Sequence, residues 1–242
     1  MHRPRFTVLA LLAPALMATG LLLTACSSQP EQPILQQFFT ASRLRDNQTL
    51  ANFSAVSLDP NTQGSVNSFS ITSVTPEQSQ PLLLKDLAQK RDAAKAADDA
   101  FTQKKLAYQN ANMDAIQRVL KAEAGNGKVE KRDEKVKDAW DQWRQQTEDS
   151  AKKVSDAQSA LNDASGIAEL SVNGARSQNP IRIDQFNGQE LSKDVTVSAD
   201  LRLPSGQTQK TNIVVTMKKV TLNGADGKPV EGRWVITGVK VG

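Results

Sequence analysis

Histidine occurs once in this chain of 242 residues, at His2, and cysteine once, at Cys26. A single cysteine excludes any internal disulfide. Without clustered Cys and His there is no set of ligands for zinc, copper or haem, and no nucleophile paired with an imidazole. Aromatic residues are scarce too: 7 Phe, 3 Trp and 1 Tyr offer little surface for stacking bases. Neither sign of charge dominates, since 30 Lys+Arg stand against 26 Asp+Glu. The two signs are interspersed, so no segment forms a phosphate-binding patch and no nucleic-acid partner is expected. Gly125-Asn126-Gly127-Lys128 is not a phosphate loop, because no strand precedes it and no Gly-Lys-Ser/Thr closes it. Acids, lysines and hydroxyls remain as possible catalysts, but no paired acids stand out. The expectation is therefore a protein that is not an enzyme and that uses no cofactor or metal.

Long apolar runs are equally rare, and the clear one lies at the amino end. Met1-His2-Arg3-Pro4-Arg5 is basic, and Phe6 to Leu23 is apolar apart from small or weakly polar residues. That is the layout of a secretory signal. A run of about 18 residues can also cross a membrane, so the flank after it decides. Leu23-Thr24-Ala25-Cys26 resembles the lipobox of bacterial lipoproteins, and Ser27-Ser28-Gln29-Pro30 begins a polar tether. The resemblance implies cleavage between Ala25 and Cys26, diacylglycerol on the Cys26 sulfur, and a further acyl chain such as palmitate on the new amino terminus. Several acyl chains anchor a protein stably where one binds only marginally. Ser27, where Asp is absent, implies by the same resemblance an outer membrane facing the periplasm in a Gram-negative cell. An uncut membrane-spanning helix and a secreted chain with a free thiol are the alternative readings.

Removal of residues 1–25 takes away His2, Arg3 and Arg5, leaving 28 Lys+Arg against 26 Asp+Glu and no imidazole. Past a lipidated tether at 26–30, the chain divides by periodicity. Residues 31–57 read as helical, 66–74 as a strand, 77–165 as almost continuous helix, and 167–242 as rich in strands. The domain expectation is thus one mixed domain in two pieces, 31–76 and 166–242, around a helical hairpin at 77–165.

The second arm of that block has the clearest pattern. Val136, Trp140, Trp143, Thr147, Ser150, Val154, Ala157, Leu161 and Ala164 step alternately by four and three residues. Spacing that averages 3.5 keeps one seam turned toward a partner helix, as in a coiled coil. The first arm is looser: Leu87, Ala94, Phe101, Tyr108 and Ala115 recur every seven residues, with Leu106, Met113 and Leu120 on a neighbouring stripe. Gly125-Asn126-Gly127 breaks the helix between them, so the hairpin is expected to fold there. Arms of roughly 38 to 45 residues would project about 55–65 Å. Trp140 and Trp143 read either as seam residues or as a partly exposed aromatic contact.

After the block, Val195, Val197, Ala199, Leu201 and Leu203 alternate with polar residues, which predicts a strand with one buried face. Pro204-Ser205-Gly206 turns the chain into a strand from Ile213 to about Leu222. Asn223-Gly224 and Asp226-Gly227 lead to a last strand over Arg233–Val241. Such a meander favours an antiparallel sheet. At the other end, Ile34, Leu35, Phe38 and Phe39 give a helix an apolar face, and Asp46-Asn47 breaks it and can cap a second short helix holding Leu50 and Phe53.

The segment Ile34 to Phe53 resembles the opening helix pair of NTF2-like (cystatin-like) domains, and Gly232-Arg233-Trp234-Val235-Ile236 is similar to their last strands. The resemblance implies an α+β fold, with helices on a curved antiparallel sheet. It also implies a pocket for a small apolar ligand, or pairing through the sheet. A hairpin of about 90 residues where that family has a single helix departs from its pattern and could cover the pocket. Trp234 and Phe69 read as core residues. The functional expectation is a membrane-anchored envelope lipoprotein whose hairpin contacts a protein partner or a second copy. The alternative is a ligand-binding module with the hairpin as its lid.

Overall fold

The apolar residues Leu35, Phe38 and Phe39 share one face of helix α1 (Gln32–Leu44), all buried. Arg45 takes a left-handed conformation and ends α1. Asp46 then caps α2 (Asn47–Leu50), its carboxylate accepting the Thr49 N–H at 3.0 Å. The computed structural model describes residues 29–242 apart from Arg176 and Ala225. Ala25 and Cys26, with the leader before them, lie outside the described residues. Glu31–Gly242 is a unit of its own.

The fold is mixed α+β, with five α-helices and a six-stranded antiparallel sheet among the described residues. Its spine is a ribbon of β3 (Gly188–Arg202) and β4 (Thr208–Asn223), paired without a register shift from Gly188↔Leu222 to Arg202↔Thr208. β1 (Ser65–Val74) and β2 (Gln78–Leu82) both pair with β3; β5 (Pro229–Glu231) and β6 (Val235–Val241) both pair with β4.

Buried positions on the ribbon change parity half-way along. Val195, Val197, Ala199 and Leu201 of β3, with Ile213, Val215 and Met217 of β4, pack against α1, Phe53 and Leu58. Further along β4 the buried residues are Val220 and Leu222, clustered with Leu82, Leu84, Ala88, Leu161, Ala168 and Ile183. Side chains alternate faces in an unbulged strand, so these two sets point to opposite sides of the sheet. One ribbon therefore supports a core on each face, and the crossing point holds the buried polar residues Glu190 and Lys193.

Three further helices follow β2: α3 (Leu84–Ala111), α4 (Met113–Ala124) and α5 (Glu134–Ala168). Sequence periodicity and structure part company here in three places. Residues 78–82 form a strand rather than the start of a helix, because their backbone pairs with Gly188–Ser192 at the edge of the sheet. Such pairing outweighs the local pattern. The first helical arm also breaks earlier than Gly125, at Asn112, whose side-chain amide donates to the Tyr108 carbonyl at 3.0 Å. An asparagine that satisfies the backbone through its own side chain ends helices readily. Finally, α5 runs past 165 to Ala168 and closes in a π-helical turn over Glu169–Asn173. That turn is fastened to the sheet: the Ser171 hydroxyl accepts the Val220 N–H at 3.0 Å and donates to the Arg233 carbonyl at 2.7 Å. Gly232 is obligatory beside it, since a Cβ there would lie 2.3 Å from the Ser171 oxygen.

Candidate functional site

Helices α3 and α5 lie antiparallel, as residue order along the two makes plain. Leu87 and Ala164 line one groove, Phe101 stacks on Trp143 with ring centroids 5.3 Å apart, and Tyr108 approaches the same indole at 5.8 Å. All nine seam positions of α5, from Val136 to Ala164, are buried or half-buried. On α3 the facing positions are Leu87, Ala94, Phe101 and Tyr108, alternating with Arg91, Asp98 and Lys105, all half-buried. Polar side chains at every second position limit the apolar area that each turn removes from water. Lys105 partly compensates, since its ammonium donates to the Thr147 hydroxyl at 2.8 Å and sits 5.6 Å from the Trp140 ring centroid. Trp140 is buried in the seam, and its indole N–H has no hydrogen-bond partner among the described residues.

Helix α4 is folded back beside the start of α5. The Arg118 guanidinium donates twice to Asp133, both at 2.8 Å, and Arg144 donates to Glu123 at 3.1 Å. Because 118 meets 133 and 123 meets 144, α4 and α5 run in the same direction. Those hydrogen bonds from Arg118 hold the Asp133 carboxyl below the usual carboxylate range, and the Arg118 pKa is raised in turn. Asp141 is likewise lowered, by hydrogen bonds from Lys137 and Arg144. Ile116 and Val119 of α4 are buried, whereas Met113 and Leu120 are 46% and 42% exposed. Met113 and Leu120 stand seven residues apart on one helix and so share a face. Leu106, near the end of α3, is 47% exposed. Of the stripe expected at Leu106, Met113 and Leu120, Met113 and Leu120 thus share a face of α4, while Leu106 stands on α3, across the break at Asn112.

Near the base, Pro81, Leu82, Leu83, Leu87, Ala93 and Ala164 line an open, mainly apolar groove of about 620 Å³. The space between α1 and the sheet is different, being filled by the wholly buried Leu35, Phe38, Val195, Val197, Ile213 and Val215. At the ribbon's crossing point Lys193 meets Glu31 at 2.7 Å, with Glu77 at 3.4 Å and the Trp234 ring centroid at 4.1 Å. Trp234 and Phe69 are half-buried and pack against the core cluster. Among the described residues no three His, Cys, Asp or Glu side chains come together as metal ligands. Nor is any helix among them long and apolar enough to cross a membrane.

No family model, curated protein or solved structure matches this chain. Its own geometry offers two packed helices whose seam leaves an open cavity of about 310 Å³ beside Ala94, Phe101 and Ser150, with Leu106, Met113 and Leu120 exposed outside that seam. Sequence periodicity found the withdrawn face of α5, while the stripe of Leu106, Met113 and Leu120 is split between two helices. It missed Asn112, the fold-back of α4 and the cluster of Glu31, Lys193 and Glu77. Asn112 carried a local signal, since an asparagine side chain competes for the helix backbone's own hydrogen bonds. Glu31 and Lys193 carried none, as they meet only through the tertiary fold.

Proposed function

We propose that this chain is a non-catalytic lipoprotein of the cell envelope, acylated at Cys26, in which α3 and α5 form a coiled-coil hairpin that offers its outer end to a protein partner. The observation that carries this reading is the exposure of Leu106, Met113 and Leu120 at the end of the hairpin away from the sheet's second core. Apolar side chains left in water on packed helices are what a partner helix or groove covers. The hairpin is read as an insertion in an NTF2-like domain. The order of two helices, strands, helices and a meander supports that reading, as does a first helix packed on the sheet. Four residues separate Cys26 from Glu31, so acylation at Cys26 would hold the folded unit by a short tether. The location that fits is the periplasmic face of an outer membrane.

Two measurements test this. Growth with labelled palmitate should mark the wild-type chain and leave Cys26→Ala unlabelled; an unlabelled wild type overturns the lipoprotein reading. A photo-crosslinking residue at Met113 or Leu120 in intact cells should give products heavier than the chain itself, and purely intramolecular products would remove the interaction role. The basal groove supports a second reading, capture of a small apolar molecule against α3. Mass spectrometry of the chain purified without its anchor should then find a co-purifying apolar compound that Ala93→Trp expels.

A further inference from the structure

β1 ends the sheet, pairing with β3 on one side and with no strand among the described residues on the other. Its ten residues, Ser65–Val74, contain no charge and no proline. Those are two of the usual devices that stop an edge strand from pairing with another chain; a third, the β-bulge, is present twice, leaving Ser68–Ile71 as the regular stretch at the centre of the edge. Register shifts between Val66/Ser68 and Ile71/Ser73 put Val66, Phe69, Ile71 and Val74 opposite Leu201, Ala199, Val197 and Val195. All four apolar residues of β1 therefore lie on the face that packs against α1. The cover thins along the strand: Val66 is buried, Phe69 and Ile71 are half-buried, and Val74 is 38% exposed.

These positions read alike from both ends. Val66 and Val74 stand at equal distances on either side of Ser70, as do Phe69 and Ile71; the bulged residues Asn67 and Thr72 lie three residues before and two after that centre. Antiparallel neighbours point to the same face, and a two-fold axis through such a pair is perpendicular to the sheet. A second β1 centred on Ser70 would set Phe69 against Ile71 and Val66 against Val74, with every apolar residue on the covered face.

We propose that two copies of this chain join through the free edges of β1, antiparallel, about a two-fold axis at Ser70. Ser68 then lies across from Thr72, Ser70 meets its own copy, and no charged residue of β1 faces a like charge. The nine residues 66–74 that pair about Ser70 span roughly 30 Å and, with two bulged residues in each strand, supply about six to eight backbone hydrogen bonds, within the range of an ordinary protein interface. The half-exposed Phe69, Ile71 and Val74 gain the cover that α1 does not give them. This pairing does not depend on acylation or on the outer helices.

The test uses purified full-length chain in detergent, with Cys26→Ser so that an introduced cysteine is the lone thiol. Ser70→Cys should oxidise to a disulfide-linked dimer. Ser68→Cys, which would sit about 13 Å from its own copy, should not. The double variant Ser68→Cys/Thr72→Cys should link again. In sedimentation equilibrium, Ser70→Lys should weaken the dimer by about tenfold or more, because two ammonium groups would meet at the axis. A circular dichroism melt matching that of wild type shows that this variant still folds. The proposal is overturned by a wild-type chain that stays monomeric at every concentration, by Ser68→Cys linking as fast as Ser70→Cys, or by a dimer constant unchanged in Ser70→Lys.

Discussion

Lys193 and Glu31 form an ion pair in which both side chains are less than a tenth exposed. Removing one member leaves a buried charge without its counterion, which costs about 3–5 kcal/mol. Lys193→Met should lower stability in urea by that amount, and Lys193→Met/Glu31→Leu should recover much of the loss, since no buried charge is then stranded. Equal losses in the single and double variants would contradict this account. Trp143 makes a different kind of contribution, through ring contacts to Phe101 and Tyr108. Trp143→Ala should cost about 2 kcal/mol in urea denaturation, with helical content falling more than sheet content. At this scale the sequence was readable where chemistry is periodic. Trp140 and Trp143 stood on the seam and Trp234 among core positions, whereas Glu31 and Lys193 are 162 residues apart and no local pattern joins them.

Between elements, the attachment of α4 to α5 has an acid-sensitive component. Asp133 has a lowered pKa in the fold because Arg118 donates two hydrogen bonds to its carboxylate. The unfolded chain then binds that proton more readily than the folded one. The contribution is complete above the ordinary Asp value of about 3.9 and is lost as pH falls through the lower folded value. Acidification below about pH 4 should thus loosen α4 first, seen as a change in Trp140 and Trp143 fluorescence before the sheet signal in circular dichroism moves. Arg118→Gln should abolish this early step. The seam of α5 was visible from spacing alone because its nine positions all fall on the side of the helix withdrawn from water. The turn between arms was not, because Gly125-Asn126-Gly127 and Asn112 both stop a helix and the sequence does not rank them. β2 was hidden for a related reason, since Gln78-Ser79-Gln80-Pro81-Leu82 has no strand alternation and is extended only because β3 pairs with it.

Across the whole unit Glu31–Gly242, the two cores are joined by the β3–β4 ribbon. Leu222→Ala should cost about 2–5 kcal/mol and raise amide exchange at the base of α3 and α5 more than in α1. Val215→Ala, in the other core, should do the reverse. Uniform loss of protection in both variants would show that the faces are not separate packing units. Strand alternation from Val195 onward was legible, but the change of face at Glu190–Lys193 was not. Buried polar residues at the crossing make both strands read as less apolar than their burial.

The uninterrupted register of β3 on β4 sets a rule for how the protein can vary in length. One residue added within Leu191–Ser192 would turn over all side chains of β3 on one side of the insertion and none on the other. One core would keep its lining while the other received its solvent-facing residues. Two added residues would restore both faces but slide Gly188 away from Leu222. Divergent versions of this chain should accordingly tolerate extra residues at Pro204-Ser205-Gly206 and at Gly125-Asn126-Gly127, and accept none at the middle of the ribbon.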